Sequence, residues 1–211
     1  KMKKWLVPLL LISPLASADL LLDKEVSQLN FGSIKNNTVA ELHRFTTLSG
    51  EVDGQGNALI TIDLASVDTR IDIRDKRMKE HLFQVGQFPN AVYSTTVDID
   101  NIRDMAIGEI QQRRLKGELD LHGNKKPLEL LVRVVKGTGG AFSVFTVEPV
   151  FISIADFGLG AGVDKLQELA GLSSITRAVP VTFTAVFREK EAKEGDDDSE
   201  KGSPLKNVLP F

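Results

Sequence analysis

The chain of 211 residues has no cysteine, which excludes thiol nucleophiles, thiolate metal sites and redox pairs together. Histidine is nearly as scarce. His43, His81 and His122 are the only three, and no HxxxH or HxH spacing joins them, so the sequence offers no local imidazole pair for a metal. A metal-dependent enzyme would need all three to meet in space. No GxSxG elbow, phosphate loop or dinucleotide fingerprint occurs, and the glycines of FGLGAG at 157–162 depart from the GxGxxG order and lack a βαβ setting. Against 29 acids stand 26 Lys and Arg, a net charge of −3, with no basic stripe carrying interleaved aromatics. Nucleic acid is therefore not an expected partner.

What is present begins with a leader pattern. Residues 1–18, KMKKWLVPLLLISPLASA, carry Lys1, Lys3 and Lys4, an apolar run from Trp5 to Ile12, and the small-x-small triplet Ala16-Ser17-Ala18. This reads as a secretory signal cut after Ala18, and it places the mature protein in the periplasm. The alternative, an uncleaved anchor, is disfavoured because the run is far shorter than the roughly 20 residues of a spanning helix. Loss of the three lysines would take the charge from −3 to −6. At the other end, residues 189–211 hold seven acids and hardly an apolar side chain before Leu205. That composition reads as a solvated, disordered tail, with Leu205 to Phe211 as a less favoured docking motif. Residues 19–188 form one domain with a sizeable core.

Within that domain the stretch Ala58 to Tyr93 sets the organisation. Ala58, Ile60, Ile62 and Leu64 alternate with Leu59, Thr61, Asp63 and Ala65, the period of a strand with one buried face. Met78, Leu82, Phe83 and Val85 then follow a helical spacing among charges, predicting a helix from Arg74 to Gln84, and alternation restarts at Tyr93. Further strands are expected at 27–33, 39–45, Ala106 to Ile110, Arg113 to Leu121, Leu128 to Val134, Ala141 to Ile154 and Val179 to Phe187. Asn101 to Met105 reads as a connection and Asp156 to Gly162 as a flexible loop. Val163 to Leu172 reads as a short helix with Val163, Leu166 and Leu169 inward. About nine strands and two short helices predict an all-β, antiparallel barrel or sandwich; closure removes sheet edges and favours the barrel.

The acids Asp63, Asp68, Asp72 and Asp75 crowd a helix start, where the helix dipole explains them without catalysis. Asp98, Asp100 and Asp104 read as turn acids. What remains is apolar surface. In a closed barrel the inward set would be Leu29, Phe31, Ile60, Ile62, Tyr93, Leu119 and Leu121 from the first strands, and Val132, Phe142, Val144, Val181, Phe183 and Phe187 from the later ones. Such an interior is either packed solid or left open for one elongated ligand, and pattern alone leaves both standing.

Four motifs carry a resemblance. They are Leu22, Asp23, Ser27 and Phe31 near the start; Ser66-Val67-Asp68-Thr69, Arg74-Asp75, Met78, His81, Phe83 and Phe88-Pro89 in the centre; Gly117, Leu119, Leu121, Gly123, Lys126 and Pro127; and Asp156-Phe157-Gly158. Over about residues 20–188 the chain resembles the YceI-like family of exported, lipocalin-like, polyisoprenoid-binding bacterial proteins. It departs from the family pattern at Val26, His43 and Ile154, the last standing where an arginine is usual. The resemblance implies an extended lipocalin-like β-barrel holding a polyprenyl lipid or isoprenoid quinone non-covalently, without catalysis. It also implies a cytochrome b561-type membrane partner; a homodimer is a further expectation. The helix near Arg74 would act as a lid, with Arg74, Arg77, Lys79 and Phe83, and beside them Asp156 and Phe157, as head-group or lid candidates. Burial of about twenty carbons at about 0.8 kcal/mol each would contribute more than 10 kcal/mol before ordering losses. The competing class is a stress-response or interaction scaffold with a filled barrel.

Overall fold

The computed structural model describes residues 18–190. Twelve strands make one antiparallel sheet: β1 (Ala18–Leu22), β2 (Gln28–Lys35), β3 (Val39–Phe45), β4 (Leu48–Asp53), β5 (Asn57–Asp63), β6 (Val67–Asp68), β7 (Asn90–Thr96), β8 (Ile110–Leu121), β9 (Asn124–Lys136), β10 (Ala141–Thr146), β11 (Val150–Ser153) and β12 (Ala178–Glu189). Eight of them, β1-β4-β5-β7-β8-β9-β10-β12, form a ring that closes where Leu20, Leu21 and Leu22 pair with Glu189, Arg188 and Phe187. The architecture is the expected β-barrel. The strand count exceeds nine because long runs break: β1 and β2 form one path with a kink, as do β3 and β4, and β12 spans both halves of the first path.

The kink at 23–27 is held by its own polar groups. The Ser27 hydroxyl donates to the Asp23 carbonyl at 2.6 Å and accepts from the Val186 N–H at 3.0 Å, so a ladder position lost to the kink is still satisfied. Arg188 binds the Asp23 carboxylate at 2.7 Å and holds that carboxyl below its ordinary value.

One end of the barrel is plugged. α1 (Asp72–Arg77) runs into a wide π turn at Met78–Leu82, where the Phe83 N–H reaches back to the Met78 carbonyl at 2.9 Å. Met78, Leu82 and Phe83 are all buried, which answers to their helical spacing in the sequence. α3 (Gly160–Ala170) lies against this turn. The contact requires glycine: a Cβ on Gly162 would lie 2.7 Å from the His81 carbonyl oxygen and 2.8 Å from the Leu82 Cα. At the other end, α2 (Ile99–Arg103) starts from Asp98, whose carboxylate accepts from the Asn101 N–H at 3.1 Å, and it buries Ile99.

Three expectations are corrected. Asn101 to Met105 is not a plain connection, since residues 99–103 are helical. Residues 106–109 of the strand expected at Ala106 to Ile110 are a turn and Ile110 begins β8: the Glu109 carboxylate takes the Ala106 N–H at 2.8 Å, and Gly108 sits at φ +83°, with Ile107 and Ile110 68% and 61% exposed. The loop predicted over Asp156 to Gly162 is a 3₁₀ turn at Ala155–Phe157 followed by the first residues of α3, which ends at Ala170 before Gly171 at φ +63°. The leader and the tail, apart from Ala18, Glu189 and Lys190, lie outside the described residues.

Candidate functional site

The inward faces of the ring enclose a cavity of about 370 Å³, within the usual range for small-molecule pockets. Its floor is built by Phe45, Leu64, Leu82, Phe83, Ile154 and Leu159, each buried. Phe31, Phe45 and Phe83 pass their rings along one side, with centroids 5.2 and 5.6 Å apart. Above the floor, Leu29, Ile60, Val144, Val181 and Phe183 point inward yet are only half-buried, because their remaining surface is the wall of the tube. Tyr93 crosses the wall lying over Gly117, where a Cβ would come within 2.5 Å of its hydroxyl. That hydroxyl donates to the Leu115 and Leu128 carbonyls at 3.4 and 3.3 Å, so the tube's single phenol is tied to backbone. Burial pushes its pKa up.

Every residue of the expected inward set lines the tube except Val132. Val132 is fully buried, and β9 instead presents Leu128, Leu130 and Val134 to the cavity. Ile62, Leu119, Leu121, Phe142 and Phe187 lie in the wall as the alternation places them.

The head-group candidates divide. Phe83 is part of the floor. Arg74, Arg77 and Lys79 do not line the tube. Arg74 donates to Glu41 and to the Thr69 carbonyl, both at 2.8 Å, and Arg77 donates to the Leu169 carbonyl at 3.2 Å, tying α1 to α3. Lys79 lies in a shallow outer groove with Asp72, Lys76 and Glu80. Phe157 is buried next to the floor, its carbonyl accepting from Asn124 at 3.2 Å, while Asp156 faces solvent. Ile154, where the resemblance expects arginine, contributes apolar surface to the floor.

The three histidines sit in separate surroundings: His43 against Ser33 at 3.0 Å, His81 near Glu80 at 4.0 Å, and His122 against the Phe88 ring at 4.3 Å. Among the described residues no group of three or more His, Asp or Glu is placed to hold a metal.

Polar side chains enter the lining mainly at one place. β7 ends at Thr96, and its pairing with β8 covers only Val92 to Thr95 opposite Asp120 to Gly117. The first residues of β8 therefore run on without β7 on that side, and Asn101 of α2 meets Arg113 there. Thr95, Thr96, Asp98, Arg113 and Arg114 rim the cavity here. Arg113 was not singled out from sequence; its signal is its place in the inward parity of Leu115, Gly117 and Leu119.

Several solved structures share this fold. A polyisoprenoid-binding domain from Saccharophagus degradans, implicated in plant cell wall breakdown, is 34% identical, with 82% of this chain and 100% of that one covered and a TM-score of 0.81. BcnA of Burkholderia cenocepacia is 22% identical over 78% of this chain and 98% of its own, with a TM-score of 0.60. A Campylobacter jejuni YCEI protein is 19% identical over 71% and 85%, with a TM-score of 0.52. No match is found among curated proteins. The family model of the YceI-like domain matches residues 21–187, and the chain, whose barrel and central motifs fall within that span, belongs to the YceI-like family.

Proposed function

We propose that this protein binds one long apolar ligand of the polyisoprenoid class inside its barrel and carries it, without catalysis, in the periplasm. The observation that carries the reading is the tube itself, walled by apolar side chains from all eight ring strands and floored by Phe45, Leu64 and Phe83. Burial of an alkyl chain along such a wall is favourable by about 0.8 kcal/mol for each CH₂ before ordering costs, so capture needs no polar catalyst. A barrel filled by its own side chains, as a pure scaffold would have, does not fit inward residues that remain half-exposed. The Saccharophagus relative named for polyisoprenoid binding supports the ligand class. A quinone or polyprenyl ligand needs a membrane source, and a cytochrome b561-type partner suits the quinone case. The tube is complete within one chain, so the reading requires no homodimer.

The test is organic extraction of protein purified from its own periplasm, followed by mass spectrometry, with uptake of a hydrophobic fluorophore by the delipidated protein alongside. A polyprenyl species near one per chain, displacing the fluorophore, is the expected result. No extracted lipid together with no fluorophore uptake would overturn the reading.

A further inference from the structure

The tube has two unlike ends. Around the floor the cationic side chains are already engaged outside the cavity, Arg74 by Glu41 and Thr69, Arg77 by the Leu169 carbonyl. At the α2 end Arg113 stands on the cavity wall. Its Nη2 donates to Asn101 Oδ1 on α2 and to Gln111 Oε1 on its own strand. Both are neutral amide oxygens, which orient a guanidinium without neutralising it. Its Nε lies out of reach of water and has no hydrogen-bond partner. A cation beside apolar wall with an unsatisfied donor is costly unless an acceptor meets it. Carboxylates are present but none hydrogen-bonds Arg113: Asp98 caps α2, Glu109 takes the Ala106 N–H and Gln111 while its charge faces Arg113 from a distance, and Glu129 pairs with Arg114 at the rim.

We propose that the gap between the end of β7 and the start of β8, gated by α2, is the mouth of the tube, and that Arg113 there binds the oxygen-bearing head group of the ligand while its tail lies toward the Phe83 floor. This rests on the tube reading and adds the ligand's orientation. The head group is a hydrogen-bond acceptor, and two chemistries supply one: a phosphate or a quinone carbonyl. Arg113 to Asn101 and Lys136 to the Arg103 carbonyl are among the contacts that tie α2 to the barrel, so a ligand that engages Arg113 acts directly on one of the gate's tethers.

The experiment measures displacement of a hydrophobic fluorophore by three probes: geranylgeranyl phosphate, an isoprenoid quinone of similar tail length, and phytane, a hydrocarbon with no head. In the wild type at least one headed probe should bind about tenfold more tightly than phytane, the span of one charged hydrogen bond. Arg113→Met should bring that probe to within about twofold of phytane, both measured on the same variant, and Arg113→Lys should retain most of the preference. The probe that loses more to Arg113→Met identifies phosphate or quinone. As a measurement that needs no variant, a nitroxide attached at the head of an alkyl probe should broaden the amide NMR signals of Ile99–Arg103 and spare those of α3. Equal binding of all three probes, a preference that survives Arg113→Met, or broadening at α3 would overturn the proposal. If no probe binds, phytane included, the tube reading itself fails.

Discussion

His43 shows how a single side chain ties the plugged end to solution conditions. It is 5% exposed, its ring lies 5.2 Å from that of Phe31, and its Nε2 meets the Ser33 hydroxyl. Burial pushes its pKa below 6.5, and the Arg74 guanidinium nearby pushes the same way; Glu41 and Asp75 oppose them. The unfolded chain therefore takes up the proton first, and folding stability falls as pH drops through 6.5. Urea melts at about pH 7.5 and about pH 5.5 should show less stability at the lower pH, and His43→Gln should remove part of that difference. Glu41 acts in a separate window. Burial raises its carboxyl, but the hydrogen bonds from Arg74 and Lys35 outweigh that and leave it below 4.5, so its contribution is lost only in stronger acid.

Among the elements, α1 depends on one acid in its first turn. Asp75 accepts from the Thr69 N–H at 2.9 Å and from the Thr69 hydroxyl, fixing the chain's entry into the helix from Arg70, which sits at φ +64°. Asp75→Ala should cost about 1 kcal/mol and lower the melting temperature by a few degrees, with no change in the tube's affinity for a fluorophore. The crowd of acids expected to cap this helix divides: Asp72 and Asp75 lie in its first turn, which has no side-chain cap, while Asp63 caps the 3₁₀ turn at Leu64–Ser66 and Asp68 binds Arg44. The strands with strict alternation were readable because each has one face toward a common interior. α2 was not. Ile99 and Ile102 repeat at helical spacing behind Asp98, but five residues are too few for periodicity to outweigh the turn-like acids around them. The same limit produced the strand expected at Ala106 to Ile110, where Ile107 and Ile110 are apolar yet point to solvent. Arg113 was hidden for another reason: an arginine in an inward position breaks the pattern that identifies the wall, and only the end of β7 makes room for it.

At the scale of the molecule, alternation identified which residues face inward but did not separate a filled interior from an open one, since both need the same apolar set. The difference lies in side-chain volume summed around the ring. Val144 is half-buried at mid-wall, so a larger side chain there has space to occupy. Val144→Trp should weaken fluorophore binding about tenfold or more while leaving the melting temperature unchanged or slightly raised, because it fills space without displacing a neighbour. A fall in stability with binding intact would mean that the mid-wall is already packed. The seam of the ring has its own consequence. β12 pairs with β1, β2, β10 and β11, and the Arg188 to Asp23 contact spans 165 residues of sequence. A chain leaving the ribosome or crossing a membrane from its first residue onward has no inside until its final strand arrives. An apolar cargo of the proposed kind therefore has no enclosing wall to enter until that strand closes the ring.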